Sequence, residues 1–519
     1  MKRKLILPGI NGLLISTFLL DFGFSLAGIF IPLYIFKITH SFIWVFVFYL
    51  LFDLAIILST LPAARLVARF GSDKISFAGT VSRSLFFLLL ILSGKNILFL
   101  IPAAALWGLA IPLYWIPFHL SVVGSDQSLA FGKDSAKINL ASKLAAITGP
   151  ILGGIIIQTL GFTHLYLIGF AFLIASGLPL FFDKYEFKFP DISLKTLKEN
   201  LPIRQMPRLF LGFFGTGLVD RFYGLIWPFY VFLLIGSYKF LGSITSAGLF
   251  ASFILLIIAG RLTNRFGSRI LKITVPFNFF NLIGRIFITG RLPLFLIDLV
   301  YQLVSIFIWI PLDQLSYQTA AQTRKLEFFL SRELVIHVGS LLAALIMILS
   351  LGFFGLNWPL AFSLVALSLL LIGQLGFAKE EGIKSVGIVL IRKNGSFLMQ
   401  KRDNKNNIVF PGYWCLPGGK ISIGKTAFQA ALEELKKETG YLAESLNFLT
   451  EESYILPAGG RVIRHIFWAE YDNSQEIKCS EGEKMEFLKL EDLTEKKIFP
   501  GHENLCKKAL EKYLNPVGN

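Results

Sequence analysis

The sequence predicts a multi-pass α-helical membrane bundle followed by a soluble α/β domain. Of its 519 residues, 54% are hydrophobic and only 16% are charged, whereas a soluble chain of this length needs more polar surface. Apolar runs long enough to cross a bilayer, about 20 residues each, follow one another from residue 8 to residue 378. Residues 384–519 have the composition of an ordinary soluble domain.

We predict twelve spans in the membrane part. Their approximate bounds are 10–36, 42–63, 76–94, 97–122, 138–160, 164–182, 209–234, 240–260, 271–290, 293–316, 333–352 and 358–378. With the amino terminus inside, 21 Lys and Arg residues fall on the inner side and four on the outer side. The positive-inside rule then places both termini, and the tail, in the cytoplasm beneath the cell (inner or plasma) membrane.

The formal net charge of +16 does not indicate a nucleic-acid partner. Residues 384–519 carry 20 Lys and Arg against 18 Asp and Glu, whereas residues 1–383 carry 30 against 16. The surplus therefore lies in the membrane part, where the asymmetry of the loops explains it.

The membrane part contains an internal repeat. The matching pairs of segments are Ile31–Phe36 with Trp227–Phe232, Arg65–Ser72 with Arg261–Ser268, and Trp115–Pro117 with Trp309–Pro311. They occur in the same order at offsets of 196, 196 and 194 residues. The repeat predicts two six-span halves, 1–190 and 209–380, joined by a cytoplasmic linker at 191–208, with a site between the halves.

A basic loop motif follows the second span of each half. Its members are Arg65, Arg69 and Gly71 in the first half and Arg261, Arg265 and Gly267 in the second. With the small-residue run Gly149–Gly154, which permits close helix approach, it resembles the major facilitator superfamily. The family's acidic loop residue is absent, since Ala68 and Asn264 stand there. The resemblance implies a transporter of a small molecule, without a cofactor in this part.

Ionisable groups inside spans are costly and often functional. The candidates for a transport pathway are Asp21, Asp53, Arg83, His119, Asp220, Arg285, Asp298 and Asp313. They would form a central polar cavity, with carboxylates for proton coupling and arginines for an anionic substrate. The alternative is that some lie at span ends or pair privately between helices. Lys143 and Arg221 are expected near cytoplasmic ends, with no special role.

The tail shows local signals of strands and helices. The predicted elements are strands at Val386–Leu390 and Phe397–Gln400 around a turn at Lys393–Gly395, a helix from Ala427 to Gly440, a turn and strand within Gly459–Tyr471, and a helix at 502–513. Thr426 and Gln429 form a capping box at the start of the first helix. Gly440 suits its carboxyl-terminal cap.

Residues 419–441 nearly match the Nudix box, G-x5-E-x7-R-E-U-x-E-E-x-G-U, where U is bulky and apolar. The matching residues are Gly419, Glu434, Leu435, Glu438, Gly440 and Tyr441. Lys425, Glu433 and Lys437 each carry the opposite charge to the family's residue. The lead-in Gly412–Lys420 also fits, so the tail, 384–519, resembles a MutT-like Nudix hydrolase with a degenerate box and implies the Nudix sandwich.

The resemblance implies Mg²⁺ or Mn²⁺ as cofactor if the tail is active. Glu434 and Glu438 would be catalytic and, with Glu481, would ligate the metal. Gly418, Gly419 and Lys420 would contact a nucleotide-type ligand. Lys437 places an ammonium where a principal metal ligand is usual, so the enzymatic activity of the tail stays open. A Lys425–Glu433 ion pair, sign-reversed from the family's, would compensate the other two departures, and Glu433 and Lys437 are also spaced to pair.

Three functional interpretations are compatible with this organisation. The first is a twelve-span transporter whose tail binds, and in one version hydrolyses, a nucleoside-diphosphate-linked ligand, either to gate transport or to process a substrate. The alternative is a membrane-tethered Nudix pyrophosphohydrolase whose helices serve mainly as an anchor. Twelve duplicated spans with internal charges exceed what an anchor needs, which favours the first. In the third, the membrane part and the tail act independently and only share a chain.

Overall fold

The structure, a computed structural model, describes residues 10–124, 130–182, 203, 206–322, 325–377, 383–404, 410–421, 425–455 and 461–515. The chain divides into two compact units, Met1–Ala378 and Lys379–Asn519. The predicted linker 191–208 lies largely outside the described residues.

The described part of the first unit is helical. Its α-helices are α1 (Ile10–Ala27), α2 (Ile31–Thr39), α3 (Phe42–Phe70), α4 (Ser72–Ser93), α5 (Leu100–Gly124), α6 (Ala130–Leu160), α7 (Phe162–Phe182), α8 (Pro207–Ile235), α9 (Tyr238–Phe266), α10 (Leu271–Gly284), α11 (Arg291–Gln322), α12 (Lys325–Phe354) and α13 (Trp358–Gly373). Short 3-10 turns join α1 to α2 and α9 to α10. The first predicted span is therefore two helices in succession.

Among the described residues, eleven helical stretches are long and apolar enough to cross a membrane. One of them, Tyr238–Phe287, is 50 residues long, which at 1.5 Å per residue would extend roughly 75 Å, more than twice the ~30 Å core of a bilayer. It contains α9 and α10, which correspond to the predicted eighth and ninth spans. The multi-pass bundle is confirmed, whereas the exact count of twelve stays a prediction.

The internal repeat appears in the backbone as well as in the sequence. Helices α3 and α9 are both 29 residues long and begin 196 residues apart. The residues that end the preceding helices, His40 and Gly236, both adopt the left-handed conformation, with φ of 50° and 71°. Gly71 and Gly267, which end α3 and α9, also have positive φ. The same breaks therefore recur at the offset of the repeat.

The two halves pack against each other through α3 with α12 and through α6 with α9. Glycines permit the close approach at α6. A Cβ on Gly153 would collide with the carbonyl oxygen of Leu26 in α1, and one on Gly154 would lie 2.5 Å from the carbonyl oxygen of Tyr238 in α9. The Ile151 N–H also donates to Ser246 Oγ in α9 at 3.0 Å. Small residues thus let α6 contact both halves closely.

The second unit is a mixed sheet between helices. Its elements are β1 (Ile383–Ile391), β2 (Phe397–Lys401), β3 (Trp414–Cys415), α14 (Ala427–Thr439), β4 (Asn447–Ile455), β5 (Arg461–Glu470), β6 (Lys484–Leu488), α15 (Leu490–Leu493) and α16 (His502–Leu514). The strand order is β3-β2-β1-β5-β4, with β6 also paired to β2. Strands β1 and β5 are parallel, and the other pairs are antiparallel.

Alternate residues of β1 enter two separate cores, because successive side chains of a strand point to opposite faces. Val389 packs in a cluster with Ala509 of α16. Ile388 packs in another with Ala431 and Leu435 of α14. The sheet therefore has α14 on one face and α16 on the other, which is the predicted sandwich.

Candidate functional site

The box helix α14 is fixed at both ends. Thr426 Oγ1 accepts from the Gln429 N–H, and Gln429 Oε1 accepts from the Thr426 N–H, which completes the predicted capping box. Gly440 ends the helix with φ of 72°. Between these caps, Glu434, Lys437 and Glu438 share one helical face because they are spaced i, i+3, i+4.

The loop before α14 runs beside β1. The backbone N–H of Ile388 donates to the Pro417 carbonyl at 2.9 Å, and that of Val386 donates to the Gly419 carbonyl at 2.8 Å. A Cβ on Gly419 would lie 2.6 Å from the carboxyl carbon of Glu434. Glycine at 419 therefore lets the loop approach the box carboxylate closely.

Glu438 is the buried member of the acidic face. The residue is only 4% exposed, and its Oε2 accepts from the Gly418 N–H at 3.0 Å. Burial, together with the charges of Glu481 and Glu434, raises the pKa of Glu438 to about 7, against the opposing effect of that hydrogen bond.

We expect Glu438→Gln to stabilise the tail above neutral pH by about 1–3 kcal/mol, since one pKa unit corresponds to ~1.4 kcal/mol. The folded domain holds the proton at higher pH than the unfolded chain, so the unfolding free energy is highest below pH 4.5 and falls as the pH rises to about 7. The amide can still accept from Gly418. Urea unfolding of the tail at pH 5 and pH 8 measures the effect. Glu433→Gln, on the exposed side, is the control, and an unchanged pH dependence in Glu438→Gln would contradict the assignment.

Lys437 lies among the glutamates. Its Nζ is 3.1 Å from Glu434 Oε2 and 3.9 Å from Glu481 Oε2. Partial burial opposes the charged form, but the hydrogen bond to Glu434 and the charges of Glu434, Glu481 and Glu438 raise the pKa of Lys437. The ammonium is therefore firmly charged. The Lys425–Glu433 ion pair is present, and Lys437 pairs with Glu434 rather than with Glu433.

Glu481 comes from the loop before β6. The Ser480 N–H of this loop donates to the Glu438 carbonyl at 3.0 Å, and Gln400 Nε2 donates to the Glu481 carbonyl at 2.6 Å. The side chain of Glu481 is 62% exposed. Lys420, also exposed, pairs by an isolated bridge with Ser385.

The predicted metal ligands do not form a metal centre as they stand. Within the described part of the chain, no three His, Cys, Asp or Glu side chains are grouped so as to hold a metal ion. Lys437, a donor with no lone pair to offer a metal, contacts the two more exposed glutamates. The donor set thus does not fit Mg²⁺, which prefers a shell of oxygen ligands.

In the membrane unit, a buried ionic network connects the two halves. Asp53 of α3 is fully buried and accepts from Arg221 of α8 through both carboxylate oxygens, at 2.9 and 2.7 Å. His337 Nδ1 of α12 lies 3.1 Å from Asp53 Oδ1. The Arg221 guanidinium also lies over the ring of Tyr49, 4.5 Å from its centre. One carboxylate of the first half is therefore held by two residues of the second.

Arg221 and His337 were not among the sequence candidates, and the expected position of Arg221 at a cytoplasmic end is wrong. Arg221 lies at the middle of α8. The signal was available, because both residues are ionisable groups inside predicted spans. They lie 168 and 284 residues from Asp53 in the sequence, so their contact with it could not be predicted from local patterns.

Asp220 and Asp313 are exposed although they lie within long helices. The Asp313 side chain is 63% exposed and is 3.9 Å from Arg332 of α12. Asp220 interacts electrostatically with Arg332 and His337, and Lys143 of α6 interacts with Asp313. These charges of both signs therefore neighbour the Asp53 network.

Arg285 and Asp298 pair within the second half. Arg285 Nη2 is 3.0 Å from Asp298 Oδ1, and both side chains are buried. Tyr223 Oη donates to the same carboxylate oxygen at 2.7 Å. The guanidinium also lies 3.7 Å from the centre of a ring of Trp227. This pair corresponds to the alternative given above, in which charged residues of neighbouring helices pair with each other instead of lining a transport cavity.

Of the other candidates, Asp21 and Arg83 interact electrostatically in the first half, and Arg83 stacks over Phe24 at 4.4 Å. The side chain of His119 lies outside the described residues. In the loop motifs, Arg69 lies over Phe70 at 5.3 Å, and Arg265 lies over Phe266 at 5.2 Å. The other motif arginines, Arg65 and Arg261, are exposed, whereas the glycines, Gly71 and Gly267, end their helices.

Comparison with known proteins finds relatives of the tail. An ADP-ribose pyrophosphatase from Methanocaldococcus jannaschii is 30% identical over 119 residues, which are 23% of this chain and 68% of that protein. The NUDIX domain of Shewanella oneidensis NrtR, solved with ADP ribose, is 20% identical and covers 26% of this chain and 92% of its own, with a TM-score of 0.24. The MutT protein of Methanosarcina mazei Go1 is 20% identical over 27% of this chain and 99% of its own, with a TM-score of 0.23.

Two families match the sequence itself. The NUDIX domain family matches residues 383–508, and the Major Facilitator Superfamily matches residues 13–325, which is more than half of the chain. The protein therefore belongs to the Major Facilitator Superfamily, and its transporter domain is fused to a NUDIX domain.

Proposed function

We propose that the protein carries a small charged solute across the cell membrane, with both termini in the cytoplasm, and that its Nudix tail binds a nucleoside-diphosphate-linked ligand. The buried network of Asp53, Arg221 and His337 is the observation that carries the transport proposal. The loop charges support the orientation, because basic residues concentrate on the side of the amino terminus.

A transporter built from two halves must open and close between them. The Asp53 network crosses that boundary, so its ion pairs must break when α3 separates from α8 and α12. Once such a pair opens, a charged solute can take the place of one protein partner. Asp220 and Asp313 would line the path, because exposed charges facing lipid would be costly, and Arg332 lies 3.9 Å from Asp313.

The ligand class of the tail rests on its family and on one relative. The Methanocaldococcus jannaschii protein is named for ADP-ribose, a nucleoside diphosphate joined to a sugar. The Gly418–Gly419 loop beside Glu434 and Glu438 provides a backbone-lined approach to the same face of α14. ADP-ribose is therefore the first ligand to test.

The experiment is calorimetric titration of the purified full chain in lipid nanodiscs with ADP-ribose, with products followed separately by chromatography. We expect binding. Turnover that Glu438→Gln abolishes would instead support the alternative, a membrane-tethered pyrophosphohydrolase. Absence of binding to ADP-ribose and to other nucleoside diphosphate derivatives, with and without Mg²⁺, would refute the proposed ligand class.

A further inference from the structure

Lys437 occupies a position where a metal-dependent hydrolase of this fold would need a carboxylate. Two oxygen donors, Glu434 and Glu438, remain on the same face of α14, with Glu481 opposite. A divalent cation approaching Glu434 would meet the Lys437 ammonium, which is already 3.1 Å from Glu434 Oε2. Loss of a ligand and charge repulsion both act against metal binding.

The Lys437 ammonium lies where a bound cation would lie, between the acidic side chains of the helix and of the loop. It contacts Glu434 at 3.1 Å and Glu481 at 3.9 Å, so it joins the helix to the loop before β6. An ammonium has three N–H donors, and the hydrogen bond to Glu434 uses one of them, since 3.9 Å to Glu481 is too long for a second. The side chain is 64% exposed, so the remaining donors are open to a ligand.

We propose that the Lys437 ammonium replaces the divalent cation of this site and contacts the diphosphate of the ligand, so that the tail binds without metal and without hydrolysis. This inference rests on the proposed function and specifies its chemistry. Lysine binds phosphate as a point charge. Unlike a metal ion, lysine cannot lower the pKa of a bound water and so generate a nucleophile at neutral pH.

The test uses the full chain in nanodiscs and measures affinity for ADP-ribose in EDTA and in Mg²⁺. We expect the two dissociation constants of the wild type to agree within about threefold, with no product. We expect Lys437→Met to weaken binding about tenfold or more, equivalent to ~1.4 kcal/mol. Lys436→Met is the matched control, because Lys436 is exposed, is adjacent in sequence and lies on a different side of α14.

A second readout does not involve the nucleotide. Binding of Mn²⁺ alone, followed by electron paramagnetic resonance, is expected to be undetectable at the tail of the wild type and to appear in Lys437→Glu, which restores three carboxylates at i, i+3, i+4. Glu438→Gln in the Lys437→Glu background should remove that site again.

Three outcomes would overturn the inference: ADP-ribose binding by the wild type that needs Mg²⁺, hydrolysis by the wild type, or equal affinity in Lys437→Met and Lys436→Met. In each of these the proposed ligand class survives, since the tail still binds ADP-ribose. Failure to bind any nucleoside diphosphate derivative in either buffer would instead refute the proposed function, and the inference with it.

Discussion

Asp53→Asn is expected to destabilise the membrane domain by about 3–5 kcal/mol, the usual cost of removing one partner of a buried ion pair. Asparagine keeps the size of the side chain but removes the charge that holds Arg221 and His337. The Arg221 guanidinium, only 12% exposed, then loses its counter-ion. The neighbouring Asp220 is exposed, so its carboxylate would replace the Asp53 counter-ion only weakly.

Thermal unfolding of the full chain in detergent, followed by tryptophan fluorescence, measures this loss. Asp313→Asn is the matched control, because its carboxylate is 63% exposed and exposed ion pairs contribute only about 0–1 kcal/mol. Equal melting temperatures for the two variants would show that the network across the two halves does not hold them together. The double variant Asp53→Asn with Arg221→Gln should recover part of the loss, because it removes the unpaired charge.

Arg285→Met should cost a similar amount, about 3–5 kcal/mol, for a reason confined to the second half. It leaves Asp298, 1% exposed, with Tyr223 as its remaining hydrogen-bond donor. It also removes the cation over Trp227, an interaction worth about 2 kcal/mol when desolvated. The melting temperature should therefore fall by at least as much as in Asp53→Asn.

The double variant Arg285→Met with Asp298→Asn separates charge from packing. The asparagine oxygen can still accept from Tyr223, so the buried charge disappears while that hydrogen bond stays. We expect the double variant to be more stable than Arg285→Met alone. If it is equally unstable or worse, the loss comes from packing around Trp227 rather than from an unpaired carboxylate.

Local signals in the sequence predicted local structure well. The capping box at Thr426 and the cap at Gly440 are present, because both depend on residues within one turn of the helix. The repeat predicted two matched halves, and in the structure Gly71 and Gly267 end α3 and α9 at the offset of that repeat. Strand β4, NFLTEESYI, was missed because five of its nine residues are polar, and β6, KMEFL, because it is only five residues long. Both owe their strand conformation to pairing with β5 and β2.

The candidate sites were predicted less completely because they depend on distant residues. Asp53 was identified as an intramembrane carboxylate, but its partners lie in the other half. In the box, the replaced ligand at Lys437 was evident from the sequence. The pairing of Lys437 with Glu434 rather than Glu433 was not, because both glutamates are within reach on a helix. In the structure Glu433 pairs with Lys425, and Glu481 lies on the other side of Lys437 from a separate loop.

The sign-reversed pair of Lys425 and Glu433 bears on how such a box can diverge. Reaching it from the family's arrangement requires two substitutions, and after either one alone the partners carry like charges. Both side chains are substantially exposed, 40% and 58%, so such an intermediate costs no more than about 1 kcal/mol. The two substitutions can therefore occur in either order with only a small loss of stability at the intermediate stage. Lys437 contacts Glu434 and Glu481 instead. Neither of these residues has a reversed charge, so the lysine at 437 is not one half of a swapped pair.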